Sequence, residues 1–197
     1  MLRDFVTVVS GLPRSGTSML MRMLEAGGIP PLTDGARAAD EDNPLGYYEL
    51  ERVKLLPAEV DWLDAAAGRA VKVISALVAK LPEGRRYRVV FLERDLAEVL
   101  ASQRRMLERR GERTDRVPDH EMAAMFRRHV ASVLDGVRAR ADMRLLVLAH
   151  ADVIADPAAA AERIDDFLAG GLDRRAMGAA VDASLWRQRG SAPPAGR

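Results

Sequence analysis

The stretch that most limits how this chain can fold lies close to its N-terminus. Phe5, Val6, Val8 and Val9 form an apolar, β-branched run, and Met19, Leu20, Met23 and Leu24 then recur at helical spacing. A continuous apolar run giving way to a 3.6-residue period predicts a buried strand followed at once by a helix. Between them lies the turn Ser10-Gly11-Leu12-Pro13-Arg14-Ser15-Gly16-Thr17-Ser18. The amides that open a helix have no partner inside it, and the helix dipole adds partial positive charge at the same place. A glycine-bearing turn that feeds such an end is a cradle for an anion such as a phosphate group.

Gly11 and Gly16 bracket four residues and precede Thr17 and Ser18. This is the spacing of a P-loop, with threonine where a nucleoside triphosphatase carries lysine. Without that lysine the loop is poorly suited to a β/γ-phosphate pair. It suits a donor with one phosphate beside a transferable group, with Arg14 supplying positive charge from another angle. On these residues, Pro13-Arg14-Ser15-Gly16-Thr17-Ser18 resembles the 5′-phosphosulfate loop of sulfotransferases that use 3′-phosphoadenosine 5′-phosphosulfate (PAPS).

Further strands are expected at 70–74, 87–92 and 145–148, and amphipathic helices follow the last two of them. One or two short helices interrupted near Pro57 are expected between 51 and 63, and a long helix over 121–140. Asp95 and Glu98 have capping-box-like spacing at the head of the helix after the third strand. Asp156-Pro157 opens a late helix that Gly170-Gly171 stops, and one more short helix is expected before an irregular tail from about residue 185. Strands alternating with helices imply a three-layer α/β/α domain with a mostly parallel sheet, P-loop NTPase-like, in one unit over residues 1–197. Long polar connections at 33–43 and 112–118 are candidates for loops that close over a site.

In such a sheet the ligand sits at the carboxyl ends of the strands, where Ser10, Gly11, Lys72, Arg94 and His150 fall. The segment from Val89 to Asp95, followed by Ser102, resembles the sulfotransferase pattern of an arginine at a strand end and a serine eight positions later. The resemblance implies that Arg94 and Ser102 meet the 3′-phosphate of PAPS, and that Arg14, Ser15, Gly16, Thr17 and Ser18 hold the 5′ side. Leu96 stands where many members have proline. A later segment, Leu146 to Gly170, resembles the family's acidic loop and terminal helix. His150 and Ala151 stand there in place of tyrosine and glutamate before Asp152, which argues against carrying over a role for that turn.

Sulfonate transfer needs charge stabilisation on the leaving oxygen and a group to accept the acceptor's proton. Arg14 and the amides of residues 16–18 are placed for the first task. Glu49 is the preferred base, because its surroundings resemble the acceptor side of bacterial sulfotransferases; Glu41 and Asp42 are alternatives. Lys72, one charge in an apolar run, either reaches the transferring sulfonate or snorkels at a strand end. His120 and His129 have no supporting motif. Arg104, Arg105, Arg109, Arg110, Arg113 and Arg116 either attract an anionic acceptor or form a solvated helix face, the commoner outcome for such a run.

The chain balances 30 basic against 29 acidic residues, so no global field draws it to nucleic acid or to an anionic membrane. It has no cysteine, which removes disulfides and thiolate chemistry. His120-Glu121 lacks a second histidine at position 124, so a zinc-protease pattern fails, and the expected chemistry needs no metal. Arg3 and Asp4 run straight into the first strand, and no apolar run reaches the length of a bilayer span, so a cytoplasmic protein is expected. The reading that results is PAPS-dependent sulfonate transfer to a hydroxyl or amine. Its rivals are a P-loop kinase or NTPase and a non-catalytic nucleotide-binding protein.

Overall fold

A computed structural model describes residues 4–36, 40, 46–114 and 117–186. The expected connections at 33–43 and 112–118 fall partly outside these residues, as do Glu41, Asp42, Arg116 and the tail beyond Trp186. Four strands, β1 (Val6–Gly11), β2 (Ala70–Lys72), β3 (Tyr87–Glu93) and β4 (Met143–Ala149), make a parallel sheet in the order β2-β1-β3-β4. Val8 stands opposite Val71 on one side and Val89 on the other, and Phe91 stands opposite Val147.

Alternation along the strands divides the core in two. Val6, Val8, Val71, Val89 and Phe91 face helices α2 (Ser75–Val78) and α4 (Asp119–Ala139), together with Trp62 and Leu63. Val9, Val90, Leu92 and Leu148 face α1 (Thr17–Ala26), α5 (His150–Ala155), α6 (Pro157–Phe167) and α7 (Arg174–Ala179). A sheet buried on both faces needs apolar residues at successive positions, and this is why its strands read as continuous apolar runs. The remaining helix, α3 (Leu96–Arg109), follows β3 directly.

The chain leaves β1 for β2 on one side, then crosses to β3 on the other. That reversal opens a crevice beyond the carboxyl end of β1, which is where open parallel sheets take their ligands.

The structure departs from the sequence expectation in several local places. The strand expected at 70–74 stops at Lys72; Ile74 is half exposed and leads into the four-residue helix α2. Two 3₁₀ helices, Glu51–Leu55 and Asp61–Ala65, flank Pro57 as the pattern implied. The long helix starts earlier than 121, at Asp119 directly after Pro118. At Asp95 only half of a capping box forms: the carboxylate accepts from the Glu98 amide at 3.1 Å, while the Glu98 side chain turns elsewhere. Among the described residues no helix is long and apolar enough to cross a membrane.

Phe91 is fully buried at the centre of the sheet, whereas Leu55 is half exposed. Phe91→Ala is expected to cost about 3–5 kcal/mol of unfolding free energy in denaturant titration, and Leu55→Ala less than about 0.5 kcal/mol.

Candidate functional site

The β1–α1 turn is held in a shape that few sequences tolerate. Gly16 occupies the N-cap of α1 in the left-handed region, φ 95°, and no side chain caps the helix. Arg14 is also left-handed, φ 70°, a conformation that non-glycine residues adopt at a cost. A Cβ on Gly11 would come within 2.4 Å of Ser15 Oγ, and one on Gly16 within 2.7 Å of His150 Cδ2. Both glycines are therefore fixed by close approach. Ser15 Oγ and Ser10 Oγ are buried without a protein partner. Buried hydroxyls normally find one, so orphaned oxygens beside an uncapped helix end fit a turn that closes around an anion.

Above the strand ends lies a cleft of about 330 Å³. It gathers most of the residues the sequence singled out: Arg14, Gly16, Thr17, Ser18, Glu49, Lys72, Arg94 and Ser102 all line it. Arg14 Nε donates to Ser102 Oγ at 3.0 Å, joining the β1–α1 turn to α3. Burial pushes the Arg14 guanidinium below its ordinary pKa, and the nearby Arg109 and Arg94 add to that shift. Arg94 donates through Nε to Glu98 Oε2 at 2.8 Å and through Nη1 to the Arg14 carbonyl at 3.1 Å. The side chains of Arg94 and Glu98 are 9% and 7% exposed, so this ion pair is buried.

Lys72 does not trail into solvent. Its Nζ donates to the Tyr47 carbonyl at 2.9 Å and to Ser18 Oγ at 3.3 Å, which puts its charge beside the start of α1. Glu49 is half buried at the cleft wall, where its carbonyl accepts from Thr33 Oγ1 at 2.7 Å. Tyr47 donates to Asp40 Oδ1 at 2.5 Å.

Three further residues line the cleft: His150, which the sequence places at a strand end, and Trp186 and Arg22, which carried no sequence signal for the site. His150 is buried with Nδ1 unpartnered, and burial together with the Arg94 charge lowers its pKa to about 4. Trp186 meets His150 edge to face at 5.7 Å and donates its indole N–H to Glu98 Oε2 at 2.7 Å. Arg22, one turn along α1 from Ser18, is also lowered by burial. The arginine run divides. Arg105 and Arg109 line the cleft, Arg104 pairs with Asp119, and Arg110 and Arg113 are exposed. His120 is exposed, and His129 meets Ser75 Oγ at 2.8 Å; neither lines the cleft.

Six basic residues (Arg14, Arg22, Lys72, Arg94, Arg105 and Arg109) thus face two acids, Glu49 and Asp182, in a chain of net charge +1. The positive charge is concentrated in one concave place, which raises the local concentration of anions.

Burying His150 as a neutral ring has a pH consequence. Its folded pKa, about 4, lies below the ordinary histidine value of 6.5, so the unfolded chain binds the extra proton between those values. Stability is full above pH 6.5 and falls as pH drops toward 4. The expected loss between pH 7 and pH 5 is about 2 kcal/mol. His150→Gln should flatten that dependence in denaturant titrations at the two pH values.

The chain matches no protein-family model and no curated protein. Its structure is similar to the sulfotransferase domain of the olefin synthase of Synechococcus PCC 7002, with TM-score 0.57 and 17% identity over 96% of this chain and 82% of that one. It is also similar to the sulfotransferase domain from the curacin biosynthetic pathway, with TM-score 0.52 and 13% identity over 98% and 94% of the two chains. A third likeness is to mouse sulfotransferase SULT7A1, solved in complex with PAP, with TM-score 0.53 and 15% identity over 90% of this chain and 63% of that one. At such identities the likeness is one of architecture, and the chain has the sulfotransferase fold.

Proposed function

We propose that this protein transfers a sulfonate group from PAPS to a hydroxyl or amine of an acceptor. The observation that carries the reading is the meeting, in one cation-rich cleft, of the uncapped α1 turn with Arg94 and Ser102 from β3 and α3. The fold supports it, since structures of similar architecture are sulfotransferases and one of them was solved with PAP, adenosine 3′,5′-bisphosphate.

PAPS, when bound, supplies an activated sulfonate whose bridging oxygen leaves with the 5′-phosphate. The chain's own groups divide the remaining work. The leading amides of α1 and the Ser15 hydroxyl bind the 5′ side, and Arg14, from the same loop, opposes the negative charge that grows there. Arg94 offers a fixed fork suited to a phosphate, and Ser102 adds a neutral donor. Lys72, held beside Ser18, contributes a second cation at the head of α1. Glu49, which also lines the cleft, takes the acceptor's proton.

Two measurements test this. Calorimetric titration with PAP in the absence of magnesium should show binding that Arg94→Ala weakens by about 10- to 100-fold, the loss of a charged hydrogen-bonded contact. ATP should not match PAP; binding of ATP that depends on magnesium would favour a kinase instead. Glu49→Gln should leave PAP binding within about twofold and lower transfer by about 10²–10⁴. Transfer at the wild-type rate would remove Glu49 as the base.

A further inference from the structure

The contacts around the cleft form a closed circuit. It starts on the phosphate loop at Gly16, against which the His150 ring packs so closely that a Cβ would sit 2.7 Å from Cδ2. His150 meets the Trp186 ring at 5.7 Å. Trp186 donates to Glu98 Oε2 at 2.7 Å, and the same oxygen accepts from Arg94 Nε at 2.8 Å. Arg94 closes the circuit on the phosphate loop by donating to the Arg14 carbonyl at 3.1 Å. Four separate segments take part, and Trp186, reaching back 88 residues to Glu98, is the member contributed by the C-terminal segment.

We propose that Glu98 and Trp186 are positioning residues, which lock Arg94 at a fixed distance from the α1 turn so that the cleft measures the spacing between two phosphates of one nucleotide. This deepens the donor reading above and rests on it. An arginine held at Nε and Nη1 cannot swing, so its plane is set before a ligand arrives. Two anion sites at a fixed spacing act on a bisphosphate as a linked pair, and the affinity gained by linkage vanishes if one site wanders. A ligand with a single 5′-phosphate uses only the α1 turn and does not sense the circuit.

The experiment is calorimetric titration of the full chain with PAP and with adenosine 5′-monophosphate, in wild type, Trp186→Phe and Glu98→Gln. Trp186→Phe keeps an aromatic ring on the His150 side and removes the indole N–H together with part of the bicyclic ring, so the monophosphate serves as the control for lost packing. It is expected to weaken PAP roughly tenfold and to leave the monophosphate within about twofold, so that the ratio of the two affinities collapses. Glu98→Gln is expected to act in the same direction. Should that variant fail to fold, Trp186→Phe carries the test alone. Equal weakening of both ligands would mean that Trp186 serves only the general fold, and it would overturn the proposal. Tighter PAP binding by Glu98→Gln would also overturn it, since the carboxylate would then be only a competing anion. If wild type binds no PAP at all, the donor reading falls first and takes this proposal with it. The other two failures leave that reading intact.

Discussion

A helix that begins with no side chain over its first amides leaves a concentrated positive end, and the arrangement of this molecule follows from leaving it so. The chain caps three other helices in the ordinary way, the carboxylates of Asp95, Asp156 and Asp173 accepting from the amides of Glu98, Ala159 and Ala176, while α2, α4 and α5 also begin without a side-chain cap. A cap of that kind contributes about 1 kcal/mol. At α1, Gly16 stands in its place, in a conformation that precludes a normal side chain and against a histidine that leaves no room for one. An aspartate there would fill the position an anion needs. At α1 that contribution is absent and the first amides are left open to the cleft.

Electrostatics around that end are arranged in the same sense. A buried arginine–carboxylate pair is weak evidence for stability, because desolvating both charges offsets most of their attraction, while stranding one of them is costly. Arg94 and Glu98 are better understood as a device for geometry: the carboxylate fixes where the guanidinium sits and takes the Trp186 N–H with the same oxygen. His150 fits this scheme because, as a neutral ring, it fills space between Trp186 and the phosphate loop without adding a charge. Burial and the Arg94 charge lower its pKa to about 4, which keeps the ring neutral down into mildly acidic pH.

The sheet was legible in the sequence because burial on both faces writes continuous apolar runs at 5–9, 87–92 and 145–148. The helices α1, α3, α4 and α6 span several turns, enough for their period to show. Helices α2 and α5, of four and six residues, cover less than two turns and leave no period to read. Of the cleft lining, the β1–α1 turn and the Arg94 and Ser102 pair could be singled out from sequence because their residues lie within single local motifs. Trp186 was not, since its partners come from β4–α5 and α3, far away in sequence. One signal went unused. Glu98, Ser102, Arg105 and Arg109 recur at spacings of four, three and four, which places them along one face of α3, and the last three of them line the cleft. The period alone separates Arg105 and Arg109 from Arg104 and Arg110.

The β1–α1 turn and Arg94 come from segments about 80 residues apart, and the register of the sheet is what brings them together. Gly11, at the end of β1, stands opposite Leu92, two residues before Arg94. A slip of β3 by one residue would shift Arg94 by about 3.3 Å and exchange the two faces of the strand. Both faces are apolar, so polarity alone does not forbid the slip; side-chain size and hydrogen bonding do. Tyr87 and Phe91 fill the layer against α4, and the Tyr87 hydroxyl donates to the Pro82 carbonyl at 3.0 Å. After a slip, Arg88, whose guanidinium now lies 4.2 Å from the Phe5 ring centroid, would enter that layer without its present partners. The aromatic residues deep in the core therefore set the spacing of the cleft above it.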